Sequence, residues 1–103
     1  MSEKQWQWLE SELSNASSYG LVVLVSSIPF IGAESATSQG WLEHVDERTR
    51  LSNTIAKYSI DNIIMIAGDA HSLAYDDGSN SDYRDTQLYP NQGAGLPVFQ
   101  SAP

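Results

Sequence analysis

The sequence lacks cysteine altogether, which excludes a disulfide framework and a zinc site built on thiolates. Any metal ion bound by this chain must therefore use oxygen and nitrogen ligands. Basic residues are scarce as well, because 5 Lys and Arg stand against 13 Asp and Glu and give a formal net charge of -8. Such a charge repels nucleic acids and anionic lipid surfaces. We therefore expect no binding to nucleic acid through a basic patch.

Long apolar runs are also missing. The longest, from Leu21 to Val25, has the length of a strand, whereas roughly 20 apolar residues are needed to span a bilayer. We expect no transmembrane segment in this chain and no signal peptide at its start. With 103 residues the chain can form one domain, which at this size buries roughly two-thirds of the surface that its unfolded chain exposes.

The residues that are present predict an α/β fold containing a βαβ unit. Aliphatic stretches at 21–27 and 63–67 are typical of buried strands. Between them, apolar residues at helical spacing predict a helix that begins near Asp46 and ends near Tyr58. The two strands should run parallel, because the crossover of a βαβ unit joins parallel strands. A separate amphipathic helix is predicted over residues 4–13, ahead of this unit.

The last third of the chain is more polar. It predicts a short strand end at 73–75, a turn over 76–80 and a last strand at 96–100 that Pro97 interrupts. Several of its side chains suggest a calcium loop: Asp76, Asp77, Asn80 and Asp82. Their spacing does not reach the full calcium-loop pattern and no glutamate closes it, so a polar turn is the preferred interpretation.

A candidate metal site follows the second aliphatic stretch, where the sequence reads Gly68-Asp69-Ala70-His71. Open α/β sheets place their ligands at the carboxyl ends of strands, and a glycine there lets the backbone turn sharply. Asp69 and His71 are two residues apart and point to the same side of an extended chain. Carboxylate and imidazole together suit Zn, Fe or Mn. The motif supplies half of a site, and taken alone it fits a capping aspartate and a hydrogen-bonded surface histidine better than a metal site.

A set of segments spread in order over nearly the whole chain points to a family. These segments are Gln5–Glu10, Val25–Phe30, Gly40–Trp41, Glu47–Leu51, Gly68–His71, Leu73–Tyr83 and Gly93–Val98. Together they resemble the alkaline phosphatase D family of metallophosphoesterases. The resemblance implies a four-layer α/β/β/α sandwich of the calcineurin-like kind, of which this chain would form the C-terminal part. It also implies hydrolysis of phosphate mono- or diesters by an activated water at a cluster of two or more metal ions.

The resemblance further implies that residues 1–103 form a partial domain, incomplete at both ends. In such enzymes other aspartates, an asparagine and a histidine come from strands ahead of the tryptophan-rich helix, and only Met1 to Lys4 precede that helix here. We therefore expect a missing N-terminal half as the partner of this chain, and we expect the chain alone to be inactive. The leading hypothesis is the C-terminal part of a secreted or membrane-associated enzyme, although the sequence gives no cellular address.

Strand context and resemblance together favour Asp69 and His71 as catalytic metal ligands, with His71 as the first choice for direct contact. One of them would otherwise hydrogen-bond a ligand or the phosphate. The ions implied are divalent or trivalent, drawn from Fe, Ca, Zn, Mn and Mg. Bound cations would also resolve an electrostatic difficulty, because a phosphate ester approaching an acidic chain is otherwise repelled.

The candidate substrate-binding residues are Arg48 and Trp41. Arg48 and Arg50 are able to hold a phosphate through bidentate contacts. For Arg48 a solvated helix face with a compensating partner is the preferred alternative, because a cation in the first turn opposes the helix dipole. Trp41 stands beside a glycine in a predicted loop and is a candidate for lining the substrate mouth.

A rival hypothesis is a non-catalytic α/β binding or assembly module that keeps the motif for packing. The two hypotheses differ in the surfaces that they predict. A module should have a sealed sheet edge, whereas part of an enzyme should expose an unpaired edge and an apolar face where its other half belongs.

Overall fold

Two helices pack on one face of a mixed four-stranded sheet in the structure, which is a computed structural model of the chain. The structure describes residues 2–27, 30–31, 45–68 and 73–101. The helices are α1, Glu3–Ser14, and α2, Val45–Lys57, and a short 3₁₀ helix at Ala16–Ser18 follows α1. The strands are β1, Val22–Ser26; β2, Ile63–Ala67; β3, Ala74–Asp76; and β4, Val98–Gln100.

The strands lie in the order β1, β2, β4, β3. β1 runs parallel to β2, and β2 runs parallel to β4, whereas β3 and β4 are antiparallel. The sequence β1, α2, β2 is therefore the predicted βαβ unit, and the prediction of two parallel strands is confirmed. The predicted last strand begins later than expected, at Val98, because Pro97 has no N–H to donate. Its carbonyl still accepts a hydrogen bond from Met65 N at 2.9 Å.

A capping box begins α1. Ser2 Oγ accepts a hydrogen bond from Gln5 N at 3.2 Å, and Gln5 Oε1 accepts one from Ser2 N at 3.1 Å, so two amides at the start of the helix are satisfied. The helix then buries Trp6, Leu9 and Leu13 at helical spacing. This packing gives α1 a single buried face.

The core lies between the helices and the sheet. Its centre consists of side chains with no exposed surface: Leu51 and Ile55 from α2, Met65 from β2, Val98 from β4 and Leu96. Because β1 and β2 are paired in register, Val22 and Leu24 project to the same face as Ile63 and Met65 and pack against this cluster. The face covered by α1 and α2 is called the covered face below.

The long connection between β3 and β4 is held by close backbone contacts. A Cβ atom on Gly95 would lie 2.0 Å from the carbonyl oxygen of Gly78, so no other residue fits at position 95 without a shift of the backbone. Gly78 itself has a φ of 109°, in the region that favours glycine. The buried Ser81 adds two hydrogen bonds, donating to Leu96 O at 2.7 Å and accepting from Leu96 N at 2.8 Å.

The opposite face of the sheet is apolar but exposed, and it is called the open face below. Every strand has one or two large, exposed side chains on this face: Val23 (44% exposed) and Val25 (74%) on β1, Ile66 (45%) on β2, Phe99 (46%) on β4 and Tyr75 (61%) on β3. The strand register brings these side chains next to one another, since Val25 pairs with Ile66, Ile66 with Phe99, and Phe99 with Tyr75. The rings of Tyr75 and Phe99 lie 4.8 Å apart.

Within the described ranges, no helix is both long enough and apolar enough to cross a membrane.

Candidate functional site

The carboxyl ends of β1, β2 and β4 lie together at one end of the sheet, because these three strands are parallel. This end is called the carboxyl edge below. Gly68 N donates to Ser26 O at 3.0 Å, and Ser101 N donates to Ala67 O at 3.1 Å, so the chain stays paired just past the strand ends. Asp69 and His71 follow this edge directly in sequence. They lie outside the described residues, as does Trp41, and their roles stay predictions.

The loop that leaves β1 is bound to the end of β4. Phe30 N and Ile31 N both donate to Gln100 Oε1, each at 2.8 Å. Gln100 is the last residue of β4 and is only 8% exposed. Since β2 lies between β1 and β4, Ser26 at the end of β1 and Phe30 beside the end of β4 are two strands apart. This places the loop beside the start of the Gly68–His71 motif.

Arg48 is buried at the start of α2, with 7% of its surface exposed. Its guanidinium carbon lies 3.7 Å from the ring centroid of Tyr83, and its Nη1 donates to Phe30 O at 3.4 Å. Among the described residues nothing accepts a hydrogen bond from its buried Nε. The preferred expectation of a solvated side chain is therefore wrong, because an aromatic face and a loop carbonyl replace water around this cation. Its contact with a phosphate stays a prediction.

Tyr83 joins Arg48 to the loop after β1. Its ring meets the ring of Phe30 edge-on, with centroids 5.3 Å apart. Its backbone N–H donates to Ser52 Oγ of α2 at 3.1 Å, and Ser52 has no exposed surface. The polar connection between β3 and β4 therefore contributes an aromatic side chain that packs against the loop after β1 and against α2.

Arg50 has a different role. It donates to the Glu3 carboxylate at 2.9 and 3.0 Å and to Glu10 Oε1 at 2.9 Å, and its guanidinium lies 4.8 Å from the ring of Trp6. These contacts join α2 to α1. The hydrogen bonds from Arg50 hold the pKa of Glu3 below its ordinary value. With these donors occupied, Arg50 is engaged in holding the helices together and not in a phosphate site.

The acidic segment after β3 forms a closed polar turn, as predicted. The Asp76 carboxylate accepts hydrogen bonds from Gly78 N at 2.9 Å, Asn80 N at 3.2 Å and Asn80 Nδ2 at 2.9 Å. Burial raises the pKa of Asp76, but these hydrogen bonds outweigh burial and leave the pKa below its ordinary value. The carboxylate oxygens are thus occupied by donors from the same turn.

The donor chemistry at the carboxyl edge fits part of a metal centre. A carboxylate and an imidazole placed directly after a parallel strand suit the ions named above, and two such side chains fill only part of a coordination sphere. In the portion of the chain that the structure describes, no group of three or more His, Cys, Asp and Glu residues is placed to hold a metal ion. Further ligands must come from elsewhere if Asp69 and His71 bind a metal.

A cavity of about 310 Å³ lies at the other end of the sheet. It is lined by the chain around the ends of both helices and by Asp61 and Asn62, just ahead of β2. Asn62 Nδ2 donates to Ala16 O at 2.9 Å and to Tyr19 O at 2.8 Å, so its amide is used within the protein. This cavity is separate from the carboxyl edge that carries the predicted ligands.

Gln100 and Tyr83 were not singled out from the sequence. A signal for Gln100 was present, because Val98-Phe99-Gln100 alternates and Gln100 shares the covered face with the fully buried Val98. A polar residue at a core position of a strand needs a hydrogen-bonding partner inside the protein. For Tyr83 no comparable signal exists in the sequence.

Comparison with known proteins identifies a family. The family model described as PhoD-like phosphatase matches residues 1–94. No curated protein and no solved structure matches the chain. The matched region begins before α1, ends shortly before β4 and includes the Gly68–His71 motif.

Proposed function

The chain belongs to the PhoD-like phosphatase family, and from this premise we propose that it takes part in hydrolysing phosphate mono- or diesters with a metal-activated water, as part of a longer enzyme. The observation that carries the proposal is the family match over residues 1–94, which contains Asp69 and His71 directly after a parallel strand. The sheet supports it physically, because the carboxyl edge of parallel strands is where open α/β sheets place their ligands.

In this proposal His71 binds a metal ion through an imidazole nitrogen. Asp69 contributes a carboxylate oxygen to the ion or to a group that holds it. The metal ions, when bound, supply the chemistry: they generate a hydroxide near neutral pH and stabilise the leaving oxygen. Arg48 and Trp41 are the proposed contacts for the phosphate and for the rest of the substrate, and the positive charge of the centre would offset the acidic character of the chain.

The finer fold proposal is the four-layer α/β/β/α sandwich of the calcineurin-like metallophosphoesterases. The open face supports it, because Val25, Ile66, Phe99 and Tyr75 form a continuous apolar surface without a helix on it among the described residues. Two sheets of a sandwich pack about 10 Å apart through such apolar faces. In this proposal a second sheet, formed by residues outside this chain, would cover the surface and would bring the further metal ligands.

The alternative is a non-catalytic α/β binding or assembly module. Such a module should have sealed its sheet, yet among the described strands β1 pairs with β2 alone and its Val25 is 74% exposed. Hydrogen exchange of the isolated chain separates the two proposals. The amides of 21–27 that do not donate to β2 should exchange rapidly in an enzyme part and slowly in a sealed module.

The test of the enzymatic proposal compares the two histidines of the chain. In the complete natural protein, His71→Ala should lower the hydrolysis of a nitrophenyl phosphate ester by at least about 100-fold, because even residues that only support a metal ligand contribute roughly 10- to 100-fold. His44→Ala is the matched control and should retain wild-type turnover, because His44 lies outside every segment that carries the family resemblance. Asp69→Asn should behave like His71→Ala, and a chelator should abolish the activity of the wild type.

Two outcomes would contradict parts of this proposal. Wild-type turnover by the His71→Ala variant would refute the metal role of this residue. Metal-dependent turnover by the 103-residue chain alone, abolished by Asp69→Asn and His71→Ala, would refute the claim that the chain is only part of the active enzyme.

A further inference from the structure

Gln100 is a buried amide at the carboxyl edge, and its side chain binds backbone rather than another side chain. Its Oε1 accepts two N–H groups of the loop after β1, from Phe30 and from Ile31, at 2.8 Å each. An amide oxygen has two lone pairs, so these two donors use its full accepting capacity. Gln100 therefore fastens a loop that no regular strand pairing holds at this point.

The same loop is held on its other side by α2 and by the connection between β3 and β4. Phe30 is 1% exposed, its carbonyl accepts from Arg48 Nη1 at 3.4 Å, and its ring packs edge-on against Tyr83. The N–H, the carbonyl and the ring of one loop residue thus each contact a different element. These contacts hold Phe30 between the end of β4, α2 and the connection between β3 and β4.

The start of this loop, at Ser27, adjoins Gly68, which is the last described residue before the predicted metal ligands. Gly68 N donates to Ser26 O at 3.0 Å, and a Cβ atom on Gly68 would lie 3.8 Å from the carbonyl oxygen of Ser27. Gly68 directly precedes Asp69. On the other side of β2, the backbone of Gln100 pairs with Ala67. Gln100 is therefore connected to this region in two ways, by its backbone pairing with Ala67 and by its side-chain hydrogen bonds to the loop after β1.

We propose that Gln100 is a positioning residue, which holds Phe30 and Ile31 of the loop after β1 beside the end of β2 and thereby sets the placement of Asp69 and His71 for metal binding. The proposal rests on the proposed function, since it gives Gln100 a role only if these two side chains bind a metal. Arg48 assists by holding the carbonyl of Phe30, and its contact is the weaker one because 3.4 Å is long for a hydrogen bond.

The experiment measures Mn²⁺ affinity in the complete natural protein, together with hydrogen exchange at the amides of Phe30 and Ile31. Gln100→Leu removes the acceptor at nearly the same size, whereas Gln100→Glu keeps an oxygen that accepts both N–H groups. Ser81→Ala is the matched control, because Ser81 is fully buried and also makes two hydrogen bonds, both to Leu96 and both away from the carboxyl edge.

We expect Gln100→Leu to weaken Mn²⁺ binding by at least about tenfold, the loss typical of residues that support a metal ligand. The exchange of both amides should rise by at least about tenfold as well, and Gln100→Glu should restore both quantities. Ser81→Ala should destabilise the fold without changing Mn²⁺ affinity or these amides. This last result separates positioning from a general loss of stability.

Three results would overturn the proposal. Wild-type Mn²⁺ affinity in Gln100→Leu would show that the hydrogen bonds do not position the ligands. An equal loss of affinity in Ser81→Ala would assign the effect to stability alone. His71→Ala, measured in parallel, distinguishes these failures from failure of the proposed function: if it binds Mn²⁺ as well as the wild type, the metal role itself is wrong and the role of Gln100 falls with it.

Discussion

The two faces of the sheet are built from the same strands and the same kinds of residue, yet only one of them is buried. Neighbouring residues of β2 show the contrast, because Met65 has no exposed surface whereas Ile66 is 45% exposed. On a typical half-buried strand the outward positions are polar. Here they are valine, isoleucine and phenylalanine. The strands therefore have the composition of strands that are covered on both faces, while the described helices cover one.

The comparison supports the proposal of a partner on the open face, which would account for the composition of these strands. Exposed apolar side chains that adjoin one another across several strands mark interaction surfaces more often than isolated ones do. In the proposed enzyme this partner is the second sheet of the sandwich. The predictions below test the difference between the two faces, beginning with the largest expected effect.

The first prediction compares Met65→Ala with Ile66→Ala in the 103-residue chain. Met65→Ala should lower the free energy of unfolding by about 2–5 kcal/mol, because it leaves a cavity between the helices and the sheet. Ile66→Ala should cost less than about 1 kcal/mol, because water already reaches this side chain. Urea unfolding measures both values. Equal losses would mean that the open face is covered in solution.

The second prediction concerns a polar residue on the covered face. Asp76 pairs with Val98 across β3 and β4, and its carboxylate accepts three hydrogen bonds from its own turn. Asp76→Asn should lower the free energy of unfolding at pH 7 by about 1–3 kcal/mol, since hydrogen bonds to a charged group are the stronger ones. Asp61→Asn, at an exposed position, is the control and should change little.

The pH dependence of this effect follows from the direction of the pKa shift. The pKa of Asp76 is lower in the folded protein than its ordinary value, so its contribution to stability is present above that value and is lost as the pH falls below it. The gap between wild type and Asp76→Asn should therefore narrow below about pH 3.9. A gap that stays constant down to low pH would show that the ionised carboxylate is not the stabilising species.

The third prediction tests the contact between the two helices that form the covered face. Arg50→Met removes the hydrogen bonds to Glu3 and Glu10 and should lower the free energy of unfolding by less than about 1 kcal/mol, because the ion pairs are partly exposed. Added salt should shrink the loss. Lys4→Met removes a positive charge from an exposed position of α1 and should leave stability unchanged.

Acid should remove the same contribution. The pKa of Glu3 is lowered in the folded protein by its hydrogen bonds with Arg50, so the ion pair stabilises above the ordinary glutamate pKa of about 4.3 and fades as the pH falls through the folded value. Urea unfolding of wild type and Arg50→Met at several pH values measures this. A difference that grows in acid would contradict the assigned ion pair.

The smallest effect on stability is expected on the open face itself. The variant Val25→Lys should change the free energy of unfolding by no more than about 0.5 kcal/mol, because this side chain is 74% exposed. It should reduce self-association of the isolated chain at high concentration, measured by sedimentation. Self-association at the wild-type level would mean that the open face is not the surface through which copies of the chain meet.

Much of the fold followed from local patterns. The helix predicted over 4–13 spans Glu3–Ser14, and the strand predicted over 21–27 spans Val22–Ser26. Both have strong periodicity or strong aliphatic runs, and their ends differ only where helices and strands fray. The parallel pairing of β1 and β2 was also predictable, because a βαβ connection has a single favoured geometry.

The environment of Arg48 was not predictable in the same way. Its sequence neighbourhood is charged and polar, which is typical of a solvated helix face. Its burial depends on Tyr83 and Phe30, which lie 35 and 18 residues away in the chain. No local pattern reports contacts over such separations. For the same reason the hydrogen-bonding partners of Gln100 could not be predicted from the sequence, although its buried position could.

The sequence by itself determined the α/β class, the βαβ unit, the oxygen and nitrogen chemistry of any metal site and the family, because these depend on composition, periodicity and short motifs. The tertiary structure alone decided the order β1, β2, β4, β3, the burial of Arg48 and the fastening of Phe30 and Ile31 by Gln100. Strand order and side-chain burial result from the packing of segments that are distant in the chain. Local sequence fixes which segments are apolar, and only the folded chain fixes which of their faces meet.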